Sequence, residues 1–189
     1  MSRLGGIGTL LLGMIAGTAV WIPAQADDHF AVAERLCLES AAEPVPALAR
    51  ADAEGWMPVP PLFAGSLPNG VLLKDARLKS DINRLYLLYV TTQASSDGQD
   101  NACTVIALPG DGDLMAQAER WAGVVSDDKK KGSARYSFFE SEGRHLNGDE
   151  ATAKFKTVPA AAPHYRYMAV SADRERSIVL YVAPEKSSN

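Results

Sequence analysis

The chain has 189 residues, 47% of them hydrophobic, with 19 basic against 23 acidic side chains and a net charge of −4 when histidine is neutral. That length suits one domain with a real core. The mildly acidic balance excludes an electrostatic attraction to nucleic acid, which rewards basic surfaces.

Residues 1–26 read as a cleavable secretory signal. Arg3 is their only charged side chain, Leu10 to Ile22 is apolar with small breaks, and Pro23 ends any helix. Ala24-Gln25-Ala26 is the A-x-A pattern of a cleavage site, and Asp27-Asp28 begins a polar mature chain. The rival reading is an uncleaved anchor: Leu4 to Ile22 carries no charge, and Gly13 and Gly17 form a small-xxx-small pair. No cysteine stands at the cleavage point, so no lipid-modified N-terminus is expected, and no second long apolar run promises a membrane span after cleavage. The expected location is periplasmic or secreted.

The predicted organisation is a single α+β domain over 27–184 followed by a disordered tail, 185–189. A helix is predicted over His29 to Ser40, where Phe30, Ala33 and Cys37 fall at helical spacing. A second runs from Val45 to Glu54, started by Pro44 and Pro46 and stopped by Gly55. Trp56 to Pro61 is extended, because each proline biases its predecessor away from helix. After the turn Leu67-Pro68-Asn69-Gly70, Val71 to Leu73 reads as a short strand.

Leu85 to Thr92 and Ala102 to Leu108 are strands of a hairpin, joined by a polar loop from Ser95 to Asp100. Pro109-Gly110-Asp111-Gly112-Asp113 opens a third helix with Asp113 as its cap; Leu114, Ala118, Trp121 and Ala122 line one face. Ala134 to Phe139 is a strand, and Glu140 to Thr152 a polar loop. Tyr165 to Val170 and Ser177 to Val182 form a second hairpin closed by Pro184. Segregated helices and strands imply α+β architecture with a mostly antiparallel sheet and about three helices.

Cys37 and Cys103 are the only cysteines. In an oxidising compartment an even pair is usually a disulfide, and neither C-x-x-C redox nor zinc-knuckle spacing is present. The alternative is a nucleophilic thiol beside a distant histidine.

The chemical motifs point away from catalysis. The G-x-G of Gly110 and Gly112 lacks the third glycine of a dinucleotide loop, and its aspartates would repel a pyrophosphate. Asp111 and Asp113 resemble half a calcium loop without its distal glutamate. His29, His145 and His164 do not pair at helical spacing, and neither H-E-x-x-H nor G-x-S-x-G occurs. Glu140, Glu142, His145, Asp149 and Glu150 read as a solvated cluster rather than a cation site, and Lys129 to Lys131 as a solvated loop. No catalytic residue, cofactor or metal is assigned. Trp121 reads as a core anchor and Trp56 as core, with part of a groove as its alternative; Tyr165, Tyr167 and Tyr181 read as one sheet face, either buried or used for binding.

Leu36-Cys37, the run Ala49-Arg50-Ala51-Asp52-Ala53-Glu54-Gly55-Trp56, Ala102-Cys103-Thr104-Val105 and Asp111-Gly112-Asp113-Leu114 together resemble small exported alphaproteobacterial proteins of unassigned function, over residues 30–125. The resemblance implies a periplasmic domain in which the two cysteines pair and Gly55-Trp56 follows the second helix. It supplies no catalytic residue.

The expected function is a non-enzymatic module that binds a protein or an envelope component. A secreted-enzyme inhibitor would present Gln93 to Asn101 or Glu140 to Thr152 as its loops. The alternative is a small periplasmic hydrolase assembled from distant residues, with His145 or His164 as base.

Overall fold

The structure is a computed structural model that describes residues 28–68, 70–95, 98–155 and 165–185. The expected signal segment with Ala24 and Ala26, residue His164 and the tail from 186 lie outside them.

Strand alternation builds one antiparallel sheet in the order β1-β2-β3-β4-β9-β8-β6-β5, with β7 also paired to β6. The strands are β1 (Met57–Pro58), β2 (Ala76–Ser80), β3 (Leu85–Ser95), β4 (Gly98–Leu108), β5 (Asp128–Lys130), β6 (Ser133–Ser141), β7 (Arg144–Leu146), β8 (Tyr165–Ala172) and β9 (Ser177–Pro184). The helices are α1 (His29–Ala33), α2 (Pro44–Ala53), α3 (Leu114–Ala122) and α4 (Gly148–Phe155). The α+β class therefore holds, with the sheet dominant and one more helix than expected.

Period-2 alternation sends Tyr86, Leu88 and Val90 of β3, Cys103, Val105 and Ala107 of β4, and Val179, Tyr181 and Ala183 of β9 to one face. These join one core with Phe30, Leu36, Ala47, Ala51, Leu114, Ala118 and Ala122 from the first three helices. The alanines Ala47, Ala51, Ala118 and Ala122 are fully buried, which lets α2 and α3 approach the sheet closely.

α1 does not end at Ala33. It widens into a π turn over Glu34–Leu38, with i+5 bonds from Glu39 to Glu34 (2.9 Å) and Ala42 to Cys37 (2.8 Å). The wide turn accommodates one extra residue, so three consecutive side chains, Leu36, Cys37 and Leu38, are buried together. Ser40 donates its hydroxyl to the Leu36 carbonyl at 2.6 Å. The turn brings Cys37 against β4, where it is disulfide-bonded to Cys103 with Cα atoms 5.3 Å apart. The expected pairing is present, and the thiol-nucleophile alternative is removed.

Several local expectations are corrected. Val71 to Leu73 is not a strand; a 3₁₀ turn occupies Leu73–Asp75 and the strand follows as β2. The hairpin arms run out to Ser95 and in from Gly98, so most of the expected loop is ladder. Glu140 to Thr152 is also regular: it finishes β6, turns through Glu142 and Gly143 into β7, and enters α4. α4 has reciprocal end bonds: Asn147 Oδ1 accepts the Glu150 amide at 2.9 Å and Glu150 Oε2 accepts the Asn147 amide at 3.0 Å. Glu185 is not loose, since its amide donates to the Gln99 carbonyl at 2.7 Å. Among the described residues no helix is long and apolar enough to cross a membrane.

Candidate functional site

The same alternation that fills the core leaves a second set of side chains on the opposite face of the central strands. Register aligns Leu87, Ile106 and Ile178 in one row, Tyr89, Thr104, Leu180 and Ala169 in the next, and Thr91, Ala102, Val182 and Tyr167 in a third. Gln93 and Asp100 face each other at the end. The first three helices do not cover this face.

A groove of about 330 Å³ lies here. Its floor is Ala102, Thr104, Leu180 and Val182; Tyr89 stands on the β3 side and Tyr167 on the β8 side, and Pro68 and Val71 also line it. Three strand spacings separate β3 from β8, so the tyrosine walls arise from backbones about 14 Å apart. Aliphatic side chains and one threonine form the floor between two aromatic walls, and the longer reach of the tyrosines makes the depression. Burial raises the Tyr167 hydroxyl above the ordinary tyrosine range, with Arg135 opposing and Tyr165 and Asp100 adding to the rise. The Arg135 guanidinium lies 5.1 Å from the Tyr167 ring centroid.

The sequence-predicted residues are placed elsewhere. Tyr165 and Tyr167 share the outer face, but Tyr181 points into the core opposite Met168, so the three do not form one surface. Trp56 is core and packs on Tyr86 with centroids 6.0 Å apart. Trp121 is partly buried against that core, 5.7 Å from Phe138.

Gly110 needs no phosphate to explain it. A Cβ there would stand 1.9 Å from the Asp173 carbonyl oxygen, so the glycine permits the β8–β9 turn to press against the entry to α3. Asp113 makes no side-chain capping bond; instead Asp111 Oδ1 accepts the Asp113 amide at 3.0 Å, and Asp111 Oδ2 accepts from Arg84 at 3.2 Å. Among the described residues no group of three or more histidine, cysteine or acidic side chains converges to hold a metal.

The expected acidic loop is dispersed into ion pairs: Glu140 meets Arg166 at 3.6 Å and Glu142 meets Lys154 at 3.1 Å. His145 stacks 4.3 Å from Phe138 and 4.5 Å from Trp121, and its Nδ1 donates to the Ala122 carbonyl at 2.9 Å, at the end of α3. Lys129 and Lys130 pair with Glu119 and Asp128 at 2.8 and 3.0 Å.

One constellation escaped the sequence reading. His29 Nε2 lies 3.1 Å from the Val105 carbonyl, which can only accept, so the proton sits on Nε2. Nδ1 therefore accepts from the Ser177 hydroxyl, at 2.6 Å. Burial depresses the imidazole to about 4, against smaller opposing effects of Val105 and Asp111. Burial pushes Asp111 up, yet the Asp113 amide, Arg84 and the His29 amide outweigh it and leave its carboxyl below the usual range. His29 and Ser177 are separated by 148 residues, so no spacing rule reveals them. Both are fully buried. Compared with known proteins, the chain matches no family model, no curated protein and no solved structure.

Proposed function

We propose that this chain is a non-enzymatic binding module working in the periplasm or outside the cell, and that its ligand lies in the groove on the outer sheet face. One observation carries the reading: apolar and aromatic side chains line a 330 Å³ groove on the face that the first three helices leave uncovered. Concave, mostly apolar sites with a few polar groups are the usual form of ligand pockets, at roughly 300–1,000 Å³. The signal-like sequence and the disulfide support location outside the cytoplasm. The inhibitor version is weakened, because both expected presenting loops are mostly ladder, turn and helix.

Amide chemical shifts of the mature chain, followed during titration with 1-octanol, test the site. Tyr89, Thr104, Tyr167 and Leu180 should shift while His145 and Ser177 stay still. Shifts confined to other regions, or none, overturn the groove. For the location, N-terminal sequencing of protein from the cell envelope should begin at Asp27; a retained Met1 would refute cleavage.

The second reading is a small hydrolase, favoured by the 2.6 Å contact between Ser177 and a histidine nitrogen poised to take its proton. Full burial of both groups opposes it, since a substrate carbonyl has no route to the hydroxyl. A fluorophosphonate probe should leave Ser177 unlabelled at neutral pH. Covalent labelling there would put the hydrolase first.

A further inference from the structure

We infer that the groove selects a small amphipathic amine, with the Asp100 carboxylate as the anchor for its ammonium group. This rests on the groove being the binding site and adds the charge class of what it holds. Among the described residues that line the groove, Asp100 is the only charged one. Among the described residues no hydrogen bond or ion pair engages its carboxylate, unlike Asp111, which Arg84 and the Asp113 amide hold.

The rest of the groove is graded in polarity. Asp100 and Gln93 are Cα partners at one end, with Thr91 beside them. Along β4 the floor then passes to Ala102 and Thr104, with Val182 and Leu180 alongside on β9. Residue spacing along a strand puts Thr104 about 13 Å from Asp100. An unbranched apolar body can lie over that floor while its cationic head meets the carboxylate. A carboxylate or phosphate head would meet like charge at the same point, in a partly desolvated place where repulsion is strong.

An aromatic face attracts ammonium and guanidinium groups through its quadrupole. The Arg135 guanidinium from the neighbouring strand already lies 5.1 Å from the Tyr167 ring centroid, so among the described residues Tyr89 is the tyrosine wall that holds no such cation. The volume of about 330 Å³ sits at the small-molecule end of ligand pockets, which favours a free amine over a folded partner's surface.

Calorimetry on the mature disulfide-bonded chain, with amide shifts recorded in parallel, decides this. The probes are n-octylammonium, 1-octanol and octanoate. Octylammonium should bind about fivefold or more tighter than octanol, octanoate weakest, and salt should weaken only the ammonium. Asp100→Asn should bring octylammonium to the level of octanol and leave octanol unchanged. Gln93→Glu places a second carboxylate opposite Asp100 on the exposed end of β3 and should widen the preference. Equal binding of octanol and octylammonium, with both shifting Tyr89 and Tyr167, overturns the cation preference and leaves the groove standing. If none of the probes shifts those amides, the groove itself fails. Tighter binding of acetyl-Leu-Lys-Leu-amide than of octylammonium overturns the choice of a small amine in favour of a peptide.

Discussion

The two faces of the sheet use the same strands and the same alternation for opposite ends. Tyr86, Leu88 and Val90 of β3 are buried under the helices, while their neighbours Leu87, Tyr89 and Thr91 stay half-exposed on the other side. An antiparallel sheet with one wet face normally shows polar residues there. Here the wet face keeps Leu87, Ile106, Ile178 and Leu180. The difference teaches that apolar content in a strand does not say which side is core. Only the positions of the helices make one face core and leave the other uncovered.

The largest expected effect concerns the covered face. Replacing Cys37 and Cys103 together with alanine releases a loop of 66-residue separation and should cost about 4 kcal/mol by the chain-entropy account, read as a lower denaturant midpoint. An unchanged midpoint would mean that the helices hold that face without the bridge. Next, Gly110→Ala forces a methyl group into the backbone of the β8–β9 turn and should cost at least about 3 kcal/mol; Gly112→Ala meets open space and should cost less than about 1 kcal/mol. Equal losses at the two glycines would contradict the close approach.

The faces can be compared at adjacent residues. Leu88→Ala should cost about 3 kcal/mol because the side chain is fully buried, and Leu87→Ala clearly less. Similar losses would show that the outer face is as tightly covered as the inner one.

Acid sharpens the comparison further, since the buried imidazole belongs to the covered face. His29 takes a proton at about 4 when folded and near 6.5 when unfolded, so below pH 6.5 the unfolded chain binds the proton first. Stability should fall as pH drops from 6.5 to about 4, by about 3 kcal/mol in all, and this group adds no further loss below that. Asp111, held below its ordinary range, contributes stability that disappears only at lower pH. Urea midpoints measured from pH 7 to pH 4 check this, with His29→Asn expected to flatten the slope. A wild-type profile already flat across that window would remove the imidazole from the ledger of acid sensitivity.

Much of the covered face was legible in the sequence and little of the groove. β3, β4, β8 and β9 announce themselves through Leu, Tyr and Val runs, and α2 and α3 through proline starts and helical spacing. β2 was missed because Arg77 and Lys79 occupy its helix-side positions; Arg77 is held by Asp52 of α2 at 2.6 Å, so an ion pair stands where an apolar pattern was sought. α4 was missed although Asn147 and Glu150 carry a capping signal, because Ala151 is its one buried residue. The groove depends on register across β3, β4, β9 and β8, which sequence spacing does not encode. His29 and Ser177 meet for the same reason.

That last contact fixes an order of assembly. A ribosome makes the segment of α1 well before β9, yet His29 finds its hydroxyl partner in Ser177, 148 positions later. Cys37 likewise waits for Cys103. Contacts of such long range delay folding, because closure entropy is spent before they form. The growing chain therefore carries Phe30, Val32 and Leu36 without their final shelter until β9 has been synthesised. A nascent chain stopped before residue 177 would hold an unpaired histidine and an incomplete floor beneath its first helix.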